Sequence, residues 1–208
     1  MKDRVRERYA AQVDGLRALG ALVAIMWGVE IVNALDSYRL DNDGIVPRSV
    51  AHLDGIVFAP FLHASFGHLL SNTVPFIILG FAIALAGARR LLLVSLIVAL
   101  VSGAGTWLTA PGGSVTVGAS GVVFGYATYL ISRGLFNRKL VELGLGLVVL
   151  VVFGGALLYD LIPHTGISWE AHLFGGIGGV LAAAGLARER PSTAAPASAT
   201  RLPAQARS

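Results

Sequence analysis

The 208-residue chain contains no cysteine. Disulfides, thiolate metal sites and a cysteine nucleophile are therefore excluded, and any covalent chemistry has to use oxygen or nitrogen. Charge is also scarce: Asp, Glu, Lys and Arg together make up 13% of the residues, and lysine occurs only at Lys2 and Lys139. Apolar residues fill the space. The AVILMFWYC set accounts for 55% of the chain and there are 26 glycines, together about two-thirds of the residues against roughly 45 to 50% in soluble domains. With a mean hydropathy of +0.72, an ordinary soluble globule is ruled out. A net charge of +4 and a pI near 9.9 would raise the question of nucleic acid in a soluble protein. Here the distribution of the basic residues along the membrane spans accounts for them better, and no nucleic-acid partner is expected.

A stretch of about 20 apolar residues crosses about 30 Å at 1.5 Å per residue. Six candidates occur, from Arg17 to Leu35, Gly67 to Ala86, Leu91 to Leu108, Ala119 to Ser132, Val141 to Leu161 and Ile167 to Ala187. The fourth is short and glycine-rich, and the Pro-Gly-Gly at Pro111 to Gly113 before it reads as a loop. No small-residue cleavage site follows the first apolar run, so that run is read as a span and not as a signal peptide. Five basic residues precede or open the first span, two stand at Arg89 and Arg90, three at Arg133, Arg138 and Lys139, and four in the tail. Only Arg39 and Arg48 remain for the opposite side, which orients both termini to the cytoplasm. The expected fold is an all-α, six-transmembrane-helix bundle over 17–187 in the cell membrane, with a cytoplasmic N-terminal segment, 1–16. The tail, 188–208, is rich in Ala, Pro, Ser and Thr and is expected to be disordered.

A polar side chain inside a span is costly unless partnered, so each one is a candidate for function. The candidates are Glu30 and Asn33 in the first span, His68, Ser71 and Asn72 in the second, Ser95 and Ser102 in the third, Ser120 in the fourth and His172 in the sixth. The i, i+4 spacing places His68 and Asn72 on one helix face. His63, five residues before His68, falls about 140° round the same helix, or precedes it. Ser120 lies in Gly118-Ala119-Ser120-Gly121 at the start of the fourth span, where a helix N-terminus offers unpaired N–H groups and a partial positive charge. His172 lies near the start of the sixth span and is followed by Gly175 and Gly179; the fourth span carries a matching small-residue face at Gly121 and Gly125. Taken singly, these residues read as interhelical hydrogen-bond glue or as packing motifs. The second, fourth and sixth spans all run inward, however, so His68, Asn72, Ser120 and His172 meet at a similar shallow depth. That depth can supply water, a nucleophile, a base and oxyanion donors together.

The runs HASFGHLLSN from His63, GASGVVFG from Gly118 and AHLFGGIGG from Ala171 resemble, in order, spacing and span assignment, the rhomboid intramembrane serine proteases. The resemblance covers about Phe58 to Gly185. It implies that Ser120 is the nucleophile and His172 the general base, and that His68, Asn72 and the Ser120 N–H hold the oxyanion. The family's Ser-His dyad uses no carboxylate, so Glu170 is not expected to orient His172, and no metal or cofactor is implied. The implied substrates are transmembrane proteins cut near the outer face, within the lipid bilayer. Many rhomboids carry Trp-Arg in the first outer loop, where this chain has Asp54-Gly55. Two rival classes are a catalytically inactive rhomboid-like binding or quality-control protein and a small transporter. The inactive class usually lacks the Ser or the His; a transporter would carry polar residues through both leaflets. Glu30 is read as structural.

Overall fold

The computed structural model describes residues 2–187, and the tail expectation falls outside them. Each of the six apolar stretches forms one long helix, and one short helix is added. These are α1 (Lys2–Leu35), α2 (Gly55–Phe58), α3 (Phe66–Ala84), α4 (Ala88–Thr109), α5 (Ser120–Asn137), α6 (Leu140–Tyr159) and α7 (Trp169–Gly185). Among the described residues there is no strand, only one isolated bridge between Ile45 and Thr116. The charged segment 2–16 continues α1 as helix, because nothing in it breaks one: it holds no proline and its single glycine, Gly15, packs against the Ala84 carbonyl of α3. Serine hydroxyls open two helices. Ser65 accepts from the His68 N–H at 3.1 Å, and Ser168 from the Ala171 N–H at 3.4 Å.

Four helices, α1, α3, α4 and α6, are long and apolar enough to cross a membrane. The other two long helices, α5 with 18 residues and α7 with 17, are not among them. Eleven of the eighteen α5 residues are buried, against three of twenty in α6, so α5 is the axis around which the other helices gather. A helix shielded by its neighbours does not need an apolar outer face, which lets α5 carry its glycines and polar groups, whereas α7 keeps Leu173, Ile177 and Leu181 exposed on one side.

Glycine governs how closely the helices approach α7. A Cβ on Gly175 would collide with the Gly121 carbonyl and one on Gly179 with the Gly125 carbonyl; in return a Cβ on Gly125 would lie 2.9 Å from the Gly175 oxygen. The small-residue faces of α5 and α7 therefore meet as their spacing implies. Thr128 Oγ1 on α5 adds a hydrogen bond to the Gly176 carbonyl at 2.8 Å. On the far side of α7, Ser102 of α4 donates to the Ala171 carbonyl at 2.7 Å, and Gly105 leaves room for the Phe174 ring. The N-terminal turns of α3, α5 and α7 thus gather at one end of the bundle, called the site end below.

The first loop is ordered by contacts remote in sequence. Ile45 exchanges backbone hydrogen bonds with Thr116 at 2.9 and 3.0 Å, Gly118 N–H donates to the Ala59 carbonyl at 2.8 Å, and Trp107 Nε1 to the Ser49 carbonyl at 3.0 Å. Arg48 reaches the carbonyls of Leu108 and Ala110 with one guanidinium nitrogen, at 3.2 and 2.8 Å, closing the C-terminus of α4. At the place of the missing Trp-Arg, Asp54 accepts from the Gly55 N–H at 3.1 Å and Gly55 lies against the Gly44 carbonyl. Arg48→Ala is expected to cost about 1 kcal/mol, the worth of a solvent-accessible charged hydrogen bond. Thermal unfolding in detergent measures it; an unchanged midpoint would show that the clamp is idle.

Candidate active site

The site is built around the turn that leads into α5. Gly118 holds φ at +116°, a conformation that side-chain-bearing residues avoid. A Cβ there would also lie 2.7 Å from the His68 ring and 3.5 Å from Asn72 Nδ2. Glycine therefore lets the loop pass directly over the paired His68 and Asn72, which come from the first turns of α3. Asn72 is buried, at 5% exposure, and its Nδ2 has no hydrogen-bond partner among the described residues. A buried amide donor left unsatisfied is costly, and this one lies against Gly118, two residues before Ser120 in the chain. Ser120 itself is half-buried and is the first residue of α5, where N–H groups lack intrahelical partners.

His172 approaches from α7. Its ring stacks on Phe124, with centroids 4.2 Å apart and planes 3° from parallel. Phe124 follows Ser120 by four residues, one turn along the same face of α5, so the imidazole lies over the face that carries the serine. The backbones are as close: a Cβ on Gly121 would lie 3.0 Å from the Ala171 oxygen. His172 Nδ1 is 2.9 Å from the carbonyl oxygen of Asp160, at the C-terminus of α6. A carbonyl can only accept, so Nδ1 carries a proton, and in the uncharged ring Nε2 then keeps its lone pair. Glu170 is buried and accepts from Ser168 Oγ at 3.3 Å; it is not the partner of His172.

His63 belongs to this site, which helical phase alone does not reveal. It lies in the coil before α3, is fully buried, and its Nε2 accepts from the Ala119 N–H at 3.4 Å. Its ring meets that of His68 edge-on, with centroids 5.1 Å apart. Burial, assisted by the neighbouring His68, pushes its pKa down to about 4, so at neutral pH it is an uncharged acceptor fixing the Gly118–Ser120 turn. Behind it, Asn33 of α1 donates to Asp41 at 2.8 Å and to the His63 carbonyl at 3.4 Å. Burial raises the Asp41 pKa, opposed by that amide and by His68. Both carboxylate oxygens of Glu30, one turn before Asn33, are buried without a hydrogen-bond partner among the described residues. Ser71, Ser95 and Ser102 bond backbone carbonyls, at 2.8, 2.8 and 2.7 Å, as glue residues do.

A cleft of about 470 Å³ opens at the site end, lined by His68, Ser114, Val117, His164, Ser168 and Trp169. The arrangement as a whole is a hydroxyl at a helix N-terminus, an imidazole whose Nδ1 is bound to a carbonyl, and spare donors, of which His68 lines the cleft. Such a set can deprotonate the hydroxyl and hold a developing oxyanion.

Fold and site together define a helical membrane protein in which a histidine stacks on Phe124, one helical turn from Ser120, at converging helix ends. The family model for the rhomboid domain matches residues 50–189. "Uncharacterized protein Rv1337" of Mycobacterium tuberculosis is 41% identical over 180 residues, 82% of this chain and 75% of that one. "Uncharacterized protein ML1171" of Mycobacterium leprae is 40% identical over 180 residues, covering 82% and 70%. "Putative rhomboid protease YdcA" of Bacillus subtilis is 34% identical over 166 residues, covering 77% and 82%. The chain belongs to the rhomboid family.

Proposed function

We propose that this protein is an intramembrane serine endopeptidase that cuts transmembrane segments of other proteins. The observation that carries the reading is the seating of His172 on Phe124, one helical turn from Ser120, with Nδ1 bound to a carbonyl and Nε2 left to act as base. In the first step the Ser120 hydroxyl attacks the scissile carbonyl carbon while its proton passes to His172 Nε2. The carbonyl oxygen becomes an oxyanion held by the unpartnered Asn72 amide, by His68 and by the Ser120 N–H. Collapse breaks the C–N bond, and the His172 proton leaves with the amine. Water then attacks the acyl-enzyme by the same route in reverse, giving the carboxylic acid and restoring Ser120. His68 lines the cleft, and His172 and Asn72 lie near the helix N-termini of the same end, so the reading brings water to the site from the cleft while the surrounding helices face lipid. The basic-residue bias supports six crossings, both termini in the cytoplasm and the site end outward. An intact substrate helix hides its carbonyls in its own hydrogen bonds, so the reading favours segments that unwind readily near that face.

The test is incubation of the purified protein in detergent with a transmembrane substrate, together with labelling by a fluorophosphonate probe. Cleavage and a label on Ser120 are expected. An intact chain that does neither would be an inactive rhomboid-like binding protein. Within the same assay, Asn72→Ala is expected to slow turnover by about 10² to 10³, the usual cost of one oxyanion donor, while thermal unfolding stays close to that of the intact chain. Unchanged turnover would take Asn72 out of the oxyanion site.

A further inference from the structure

The helix that ends at Asp160 is held very differently at its two ends. At the end away from the site, Glu142 receives two hydrogen bonds from Arg133, at 3.2 and 3.1 Å, and one from Asn137 at 2.6 Å. The backbones also touch there: Gly134 lies against Leu143 and Gly146 against Ile131. Toward the site end, α6 packs the partly buried Phe153 and Leu157 against the hydrophobic core. It borders a groove of about 510 Å³ shared with α5 and α7, whose walls include Phe124, Gly154, Leu161 and His172. Among the described residues, the hydrogen bond that ties this end to another helix is the one from His172 Nδ1 to the Asp160 oxygen. That carbonyl is one of the last in α6, which have no intrahelical donor and form the negative end of the helix dipole. It occupies the position that a buried carboxylate fills in a three-membered serine hydrolase site, where it fixes the imidazole tautomer.

We propose that the Asp160 carbonyl is the orienting partner of His172, so that the base is armed only while α6 is seated, and an outward swing of α6 about its Glu142 anchor disarms it. This rests on the protease reading and adds a conformational requirement to it. Asp160 acts as a positioning residue through its backbone, so its side chain is free to vary. Opening the groove and performing the chemistry then become alternating states: the swing that would admit a substrate removes the acceptor from Nδ1, and closure restores the Nδ1–H tautomer with Nε2 ready for the Ser120 proton.

The experiment replaces Leu161 by its α-hydroxy acid in the full chain, converting the amide after Asp160 into an ester whose carbonyl is a weaker acceptor, with every side chain kept. A second variant, Phe153→Ala with Leu157→Ala, loosens the seating of α6. Histidine ¹⁵N spectra of the protein in lipid nanodiscs report the His172 tautomer. The intact chain is expected to show the Nδ1–H form, and both variants a mixture with Nε2–H. For the ester, kcat on a transmembrane substrate is expected to fall about tenfold with KM within about twofold, the scale of one hydrogen bond. His172 retaining the Nδ1–H form in both variants would overturn the proposal. Because that spectrum needs no turnover, it decides the coupling separately from the protease reading, which fails only if the intact chain neither cleaves nor labels.

Discussion

Replacing Ser120 by alanine is expected to reduce cleavage of a transmembrane substrate by about 10⁴-fold or more, since removing one member of a nucleophile-base unit forfeits nearly all that the unit provides. The loss should be purely chemical. Ser120 is half-buried at the start of α5, and removing one oxygen leaves the Gly121 and Gly125 contacts with α7 in place. The unfolding midpoint is therefore expected to stay within a degree or two of the intact chain, and fluorophosphonate labelling to vanish. His172→Ala should cost activity on the same scale but also lose the stack on Phe124 and the bond to the Asp160 carbonyl, so its midpoint should fall too. Non-additivity is the decisive readout. The double variant should be no slower than either single one, because the two side chains act in one step. Either variant cleaving as fast as the intact chain would refute the assignment.

The residues that carry this prediction were legible in the sequence for a physical reason. A polar group in an apolar span must be partnered or used, which marks Ser120, His172, His68 and Asn72 without reference to the fold, and the glycine spacings predict the close contact of α5 and α7 found in the structure. Features made by backbone or by long-range contact left no such mark. The Asp160 carbonyl would be there with any side chain at that position. Phe124 is one more apolar residue in an apolar helix, notable only for following Ser120 by four. His63 precedes α3, one of the two readings its spacing allowed, but helical phase says nothing of a residue in coil, and its position is set by Ala119 and Asn33, 56 and 30 residues away. The first loop is unreadable locally because its conformation is set from Thr116, Leu108 and Ala110.

Substitution at Gly175 tests the architecture without touching a reacting group. A methyl group there would collide with the Gly121 carbonyl, backbone against backbone, so no rotamer change relieves it and the helices must separate. Gly175→Ala is expected to destabilise the protein by about 1 to 3 kcal/mol, as overpacking does. Separation by about 1 Å moves His172 relative to Ser120, and misplacement on that scale costs about 10² in rate. The neighbouring Gly176 provides the control. Its Cβ would meet only Thr128 Cγ2 at 3.5 Å, an ordinary contact, and alanine there also removes the glycine penalty in a helix, so Gly176→Ala should be neutral or slightly stabilising. The two substitutions add the same atom one residue apart in the same helix. If they lowered activity and unfolding midpoint equally, the close approach of α5 and α7 would not be what holds the serine and the imidazole together. A loss confined to Gly175 would trace the site's geometry to the absence of one methyl group.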